Sequence, residues 1–247
     1  MSWEAVIGVE THVELRTASK MFCGCPVDFS SEPNTNVCPV CLGLPGALPV
    51  PNERAVEMTV AMGLALGCRI AAESEFSRKN YFYADLPKNY QISQYDLPLC
   101  VEGSMEVEAG GETSTVGITR VHLEEDTGKS THLGGTGRIH ESEAALIDFN
   151  RSGVPLMEVV TEPDLRSPEQ ARAYAAELRA IVRALGISDA RLEEGSLRFD
   201  ATVSIRPEGG EGLGVKVEVK NMNSLRSLQR ALAHEIERQT ALAEAGD

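Results

Sequence analysis

The sequence has no run approaching the roughly 20 apolar residues that a membrane-spanning helix requires. Its opening residues, MSWEAVIGVE, lack a basic segment and a small-residue cleavage site, so no secretory signal is expected. Positive charge is also scarce: 23 Lys and Arg stand against 37 Asp and Glu, a net charge of -14. Such a chain repels a phosphate backbone, which excludes nucleic-acid binding through a general basic surface. G-x-x-x-x-G-K-[ST] is absent, and Gly134-Gly135-Thr136-Gly137 does not match G-x-G-x-x-G, so any nucleotide is held by a non-Walker site. There is no G-x-S-x-G elbow and no Gly/Ser-rich segment suited to a Ser-Ser-Lys amidase. Internal repeats and low-complexity linkers are missing too.

What remains is the composition of an ordinary folded protein, 42% hydrophobic and 24% charged over 247 residues. That length fits one large domain or two small ones. No boundary is visible, so one unit spanning residues 1–247 is expected, in a cytoplasmic enzyme or subunit. The acidic excess is concentrated in residues 1–150. Carboxylates in such number suit divalent metals, since hard cations prefer oxygen ligands.

Cysteine is used unevenly. Cys23-Gly24-Cys25 is followed by Cys38-Pro39-Val40-Cys41, whereas Cys68 and Cys100 stand alone. Without a secretion signal, disulfides are a poor default. Two close thiol pairs match the demand of a tetrahedral structural zinc, which would leave no open position for chemistry. The other reading is four reduced thiols in a Pro-, Gly- and Asn-rich loop over residues 20–51. Cys68 and Cys100 read as core thiols.

Alternation predicts a strand over residues 3–14, and further strands at 105–107, 115–123, 139–149, 155–160, 198–206 and 215–220. Residues 109–111 turn the hairpin. Helices are expected from Asn52 to Leu66, from Ser167 (with a Pro168 start and an S-x-x-Q capping box) to Leu185, and from Ser224 to Ala243. Residues 77–98 show no clean period and read as an extended loop. Strands joined by hairpins and loops, outnumbering helices, predict an α+β fold with an antiparallel sheet.

The period of two also sorts side chains by face. Glu10 and His12 share a face of the first strand. His122, Glu124 and Asp126 share one face of theirs, and Glu125 takes the other. Arg198, Asp200, Thr202, Ser204 and Arg206 oppose an apolar face of Phe199, Ala201, Val203 and Ile205. Lys216, Glu218 and Lys220 alternate with valines. One sheet face is thus expected to carry carboxylates and bases, able to hold Mg²⁺ and meet phosphate oxygens. The plainer alternative is the solvated face of an antiparallel sheet.

At Arg78-Lys79-Asn80-Tyr81-Phe82-Tyr83-Ala84-Asp85-Leu86-Pro87-Lys88-Asn89-Tyr90-Gln91 the sequence resembles the B-subunit family of the aspartyl/glutamyl-tRNA(Asn/Gln) amidotransferases. The resemblance continues through Gly8–Leu15, His122–Lys129, Asp148–Glu158, Thr161–Asp164, Glu194–Asp200 and Glu218–Ser224, in the family's order over nearly the whole chain.

That resemblance implies a catalytic cradle related to the glutamine synthetase and guanido kinase fold. It implies ATP-dependent phosphorylation of the side-chain carboxylate of Glu-tRNA(Gln) or Asp-tRNA(Asn), then displacement of phosphate by ammonia. Glu10, His12, Glu124, Glu125, Glu158 and Asp200 are the implied Mg²⁺ ligands. Lys79, Lys88, Arg198 and Lys220 are the implied phosphate contacts, and Asn80, Tyr81 and Tyr90 the implied pocket walls. Among these Glu10, His12, Glu125 and Lys79 are expected to be catalytic. Ammonia is implied to come from an amidase-type A subunit, with a small C subunit linking the two. The family's chain runs on past Asp247 into tRNA-gripping domains, so activity of this segment alone is not expected. A non-catalytic docking module, stapled by zinc, is the competing expectation.

Overall fold

A computed structural model describes residues 2–28, 30–134 and 142–246. Its centre is β1 (Trp3–Glu14), whose alternating Ala5, Ile7, Val9 and Val13 are buried against the core. Antiparallel partners flank it on both sides: β10 (Leu197–Pro207) along its full length and β9 (Pro155–Thr161) along its second half. Beyond β10 lies β11 (Val217–Met222), and beyond β9 lies β6 (Glu112–Glu125). The long β6 pairs at one end with β5 (Cys100–Ala109) and at the other with β4 (Tyr90–Ser93), which hydrogen-bonds to β3 (Ser77–Asn80). The two-residue β2 (Arg69–Ile70) joins β5, giving nine strands in this sheet among the described residues. A separate hairpin is formed by β7 (Lys129–Leu133) and β8 (Ala144–Asp148).

Among the described residues three helices cover one face of the sheet. In α1 (Glu53–Ala65), Asn52 caps the first turn by accepting from Ala55 N at 3.3 Å. α2 (Pro168–Ala184) begins at Ser167, whose side chain accepts from Gln170 N at 3.1 Å, with Pro168 supplying a preset φ. α3 (Leu225–Ala245) is capped by Ser224 and ends on Gly246 in the left-handed region. α2 packs against α3, β1 and β5, and α3 against β10 and β11. Met58, Met62, Tyr174, Leu178, Leu228 and Leu232 thus meet Ile7, Val159 and Phe199 in one apolar cluster. The opposite face of the sheet is left to polar side chains. The α+β class and antiparallel sheet expected from patterning are both present.

Residues 77–98 are not an extended loop: they contain the β3–β4 hairpin. Its strands are short and sit at the sheet edge, with Arg78, Lys79 and Asn80 exposed, so no buried stripe marks the period. The β5–β6 hairpin is longer than expected at both ends, and it turns over Gly110 and Gly111, both at positive φ (63° and 84°) as a tight antiparallel turn demands. The expected strand at 215–220 is displaced to Val217–Met222, because pairing with β10 begins at Val217 and leaves Val215 89% exposed. Of the strand expected at 139–149, residues 144–148 are observed and 139–141 lie outside the described residues, as do Gly135, Thr136 and Gly137 of the discounted glycine motif.

Candidate functional site

Register across four strands builds the site. His12 on β1 stands opposite Arg198 on β10 and Glu158 on β9, and Glu158 stands opposite His122 on β6. These four side chains therefore form one row on the helix-free face. One step along, Asp200, Glu10 and Arg120 occupy the next row. On the other side come Glu14, Glu124 and Ser93.

The row is close-packed. His12 Nε2 lies 3.4 Å from Glu158 Oε2, and His122 Nε2 lies 3.5 Å from the same oxygen. His122 Nδ1 accepts from Arg120 Nε at 3.3 Å, which leaves its Nε2–H to donate towards Glu158. Glu124 accepts from Ser93 Oγ at 3.1 Å. One ligand atom each from His12, Glu124 and Glu158 fall within 4.8 Å of one another. Side chains from three strands meet there because His12 and Glu158 are directly opposite and Glu124, one row along on β6, is the diagonal neighbour of Glu158.

Burial polarises this trio. Desolvation pulls His12 towards neutrality, but its hydrogen bond to Glu158 and the charges of Glu158 and Glu124 outweigh that and raise its pKa. Glu158 resists its own burial penalty through His12, His122 and Arg120, and is held down at about 2. For Glu124 the balance goes the other way: desolvation and the Glu158 charge outweigh His12, the Ser93 hydrogen bond and Lys79, and push it up to about 7. Desolvation drops His122 to about 4. Glu10, half-buried, is raised by desolvation and then by Glu158. Carboxylates forced together in this way are the electrostatic signature of a site short of positive charge.

Two clefts open beside the trio. One, of about 450 Å³, is bordered by Glu10, Arg78, Lys79, Tyr95, Arg120 and Glu124. The other, of about 320 Å³, is bordered by His12, Lys79, Tyr81, Asp126, Arg198 and Asp200. Lys79 and Glu124 border both. Tyr81 is pushed up to about 12 by burial and the Glu124 charge. Arg198 reaches Asp126 at 3.0 Å, and Arg151 approaches the same carboxylate at 3.7 Å.

Glu10, His12, Lys79, Glu124, Glu158, Arg198 and Asp200 are thus gathered at one place. Lys220 lies at the β11 edge, paired with Glu218 at 3.2 Å and largely exposed. Glu125 and Lys88 are elsewhere. Glu125 follows Val121 and Leu123 on the core side of β6, where it pairs with Lys88 and accepts from Ile92 N at 2.9 Å. Both side chains are 3% exposed, and neither borders the two clefts. Asn80 is exposed at the hairpin, and Tyr90 is held between Arg78 at 4.7 Å and Lys88 at 5.3 Å. Alternation places His122 on one face with Glu124 and Asp126, as the structure does, but sequence patterning does not single out Arg120 or Arg151. For Arg120, extending the same alternation back from His122 holds the signal.

Glu14 extends the acidic row. Burial and the neighbouring Asp126, to which it is hydrogen-bonded, push its pKa up to about 8. The folded state therefore keeps a proton that the unfolded chain loses near pH 4.5. Stability should fall as pH rises between those limits, by up to about 1.4 kcal/mol per pH unit. Chemical denaturation from pH 5 to 8 should show this slope in the wild type and a flatter one in Glu14→Gln.

The four cysteines form a second cluster, with their sulfurs within 4.8 Å of one another. Cys38 and Cys41 Sγ are 3.9 Å apart, close to the roughly 3.8 Å edge of a tetrahedron with 2.3 Å metal–sulfur bonds. A hydrogen bond from Cys23, backed by the Cys38 amide and Lys20, pulls Cys41 down to about 5, whereas Cys23 is raised. The donor set and spacing fit a four-thiolate metal.

A large antiparallel sheet with one helix-covered face, and on its other face a buried imidazole between carboxylates, defines an α+β domain built around an acidic cleft. The chain belongs to the GatB/GatE catalytic domain family, whose model matches residues 5–246. It is similar to the B subunit of the aspartyl/glutamyl-tRNA(Asn/Gln) amidotransferase of Frankia casuarinae, 62% identical over 250 residues that cover 99% of this chain and 50% of that protein. The corresponding protein of Moorella thermoacetica is 59% identical over 246 residues, covering 100% of this chain and 51% of its own length. That of Salinispora arenicola is 59% identical over 249 residues, covering 99% and 50%. The chain spans about half the length of the curated relatives it matches. Among the described residues no helix is long and apolar enough to cross a membrane.

Proposed function

We propose that this chain is the catalytic cradle, residues 1–247, of a tRNA-dependent amidotransferase. It phosphorylates the side-chain carboxylate of Glu-tRNA(Gln) or Asp-tRNA(Asn) with ATP and exchanges the phosphate for ammonia. Family membership supports the reaction class, and one observation of geometry carries the site: His12, Glu124 and Glu158 converge on a single point beneath a cleft bordered by Lys79 and Arg198.

Two carboxylates and one imidazole fit a divalent cation that retains water and phosphate ligands. His12, Glu124 and Glu158 would hold it, with Glu10 and Asp200 one row away. When bound, Mg²⁺ supplies charge neutralisation between phosphate and acceptor carboxylate. Lys79 and Arg198 would then meet phosphate oxygens from opposite sides, where charge spreads during phosphoryl transfer. His122, fixed by Arg120, holds Glu158 in place. Attack on a carboxylate is slow because oxide is a poor leaving group; phosphorylation converts it to phosphate, which ammonia can expel. Tyr81 closes one wall of the cleft and keeps water from the activated acyl group.

Ammonia comes, in this reading, from an amidase-type A subunit joined through a small C subunit, in a cytoplasmic complex. The test is conversion of Glu-tRNA(Gln) or Asp-tRNA(Asn) to the amide by the assembled complex, with ammonium chloride replacing glutamine. ADP should form in step with the amide, and both should vanish in a complex carrying Glu124→Gln. Amide formation that consumes no ATP would sink the proposal.

The thiol cluster is read as a structural zinc site, held by Cys23, Cys25, Cys38 and Cys41. Purified chain should carry one zinc resistant to mild chelation, and Cys38→Ser should lose it and melt the 20–51 loop. Elemental analysis and proteolysis of that loop check the pair. The exposed Leu48 and Val50 in the same loop, 82% and 71% exposed, favour a second reading in which the loop docks a neighbouring protein of the complex.

A further inference from the structure

Lys20 is among the largest fully buried side chains of the protein, at 1% exposure. Its ammonium donates to Asn36 O at 2.8 Å and Phe149 O at 3.2 Å, and lies 3.7 Å from Cys41 Sγ. Those three contacts use its three protons. Two are neutral carbonyls, and among the described residues no carboxylate lies within ion-pair reach of it. Burying a lone ammonium costs several kcal/mol unless an anion compensates it. The anion in reach is sulfur.

The packing shows that this approach is built in. Gly153, at φ +89°, sits where a Cβ would come within 3.4 Å of both Lys20 Cδ and Cys41 Cβ. Its carbonyl accepts from Met21 N at 2.7 Å, which fixes the backbone beside Lys20. Lys20 N in turn donates to Cys25 O at 3.0 Å, on the second cysteine of the first pair.

The same lysine touches a second structure. Phe149 belongs to the turn after β8, and that turn is laced to the cysteine loop by asparagines. Asn34 N donates to Asp148 Oδ1 at 2.9 Å, Phe149 N to Asn34 Oδ1 at 2.8 Å, and Asn36 N to Asn150 Oδ1 at 2.8 Å. The next residue, Arg151, borders the cleft beside His12 and approaches Asp126.

We propose that Lys20 is the outer-sphere cation of the four-cysteine metal site, and that it ties metal occupancy to the 147–151 turn carrying Arg151 into the cleft. This rests on the zinc reading above. A zinc tetrathiolate bears two negative charges, and a buried ammonium donating to one sulfur removes half of that excess. Outer-sphere partners of this kind set metal affinity as well as ligand geometry.

The experiment is zinc titration against a chromophoric chelator in wild type, Lys20→Met, Lys20→Gln and Lys20→Arg, with circular dichroism confirming the fold of each. Affinity should fall at least about tenfold in Lys20→Met and Lys20→Gln and be largely kept in Lys20→Arg. Cobalt-substituted Lys20→Gln should show a shifted thiolate-to-metal charge-transfer band, which a purely packing role would not move. Amide exchange over 147–151 should quicken on metal removal in wild type. Lys20→Gln serves if Lys20→Met fails to fold, since it can still donate to a carbonyl without a charge. Wild-type zinc binding with unchanged affinity and band in the neutral variants would overturn the role of Lys20 alone. A wild-type chain that binds neither zinc nor cobalt would overturn the metal site itself and the proposal with it.

Discussion

Replacing Lys88 by methionine should destabilise the fold by about 3–5 kcal/mol, more than any exposed ion pair would cost. Lys88 and Glu125 are each 3% exposed and pair with each other on the core side of β6. Methionine fills most of the lysine's volume, so the loss measures the stranded carboxylate rather than a cavity. Desolvation already raises Glu125 despite Lys88, and without the lysine it rises further. A carboxyl group whose folded pKa lies above its unfolded value loses stability as pH climbs between the two. The deficit of Lys88→Met should therefore be smaller at pH 5 than at pH 8. Lys88→Met with Glu125→Met should recover much of it, since exchanging both partners of a buried pair is often neutral. Urea denaturation of the three variants at both pH values checks this, and a uniform loss below about 1 kcal/mol would show the pair to be hydrated.

Glu158→Gln should weaken Mn²⁺ binding at the acidic cleft by at least about 100-fold, beyond the 10–100-fold typical of outer-sphere losses. Glu158 is the hinge of the cluster: both histidines point at its Oε2, at 3.4 and 3.5 Å. The substitution removes a ligand charge and also the acceptor that orients His12. Arg120→Ala, which touches His122 but none of the three ligands, should cost about tenfold. Electron paramagnetic resonance of free Mn²⁺ reads both losses directly. Equal affinity in wild type and Glu158→Gln would mean that the trio does not hold the ion.

Most of the frame is legible in the sequence because its main strands and helices obey clean periods. Alternation delimits β1 to the residue, from Trp3 to Glu14, and Asn52 and Ser167 announce α1 and α2 by their capping chemistry. The β3–β4 hairpin is hidden, since Tyr90 and Lys79 obtain their order from cation–ring contacts and edge pairing rather than from a buried stripe. The site divides the same way. Alternation assigns Glu124 to one face and Glu125 to the other, as register requires, although family resemblance groups both as metal ligands. Registry between strands is what no single period contains. That His12, Glu158 and His122 share a row depends on β1, β9 and β6 being neighbours, and β9 lies far from β1 along the chain.

Calorimetric titration of Mg·ATP into the chain, wild type beside His12→Ala, tests the central claim most directly. The wild type should bind saturably at one site, and His12→Ala should abolish that heat while keeping its fold and its zinc. Binding that survives in His12→Ala, or a wild type that takes up no Mg·ATP, would contradict a nucleotide site built on this sheet face.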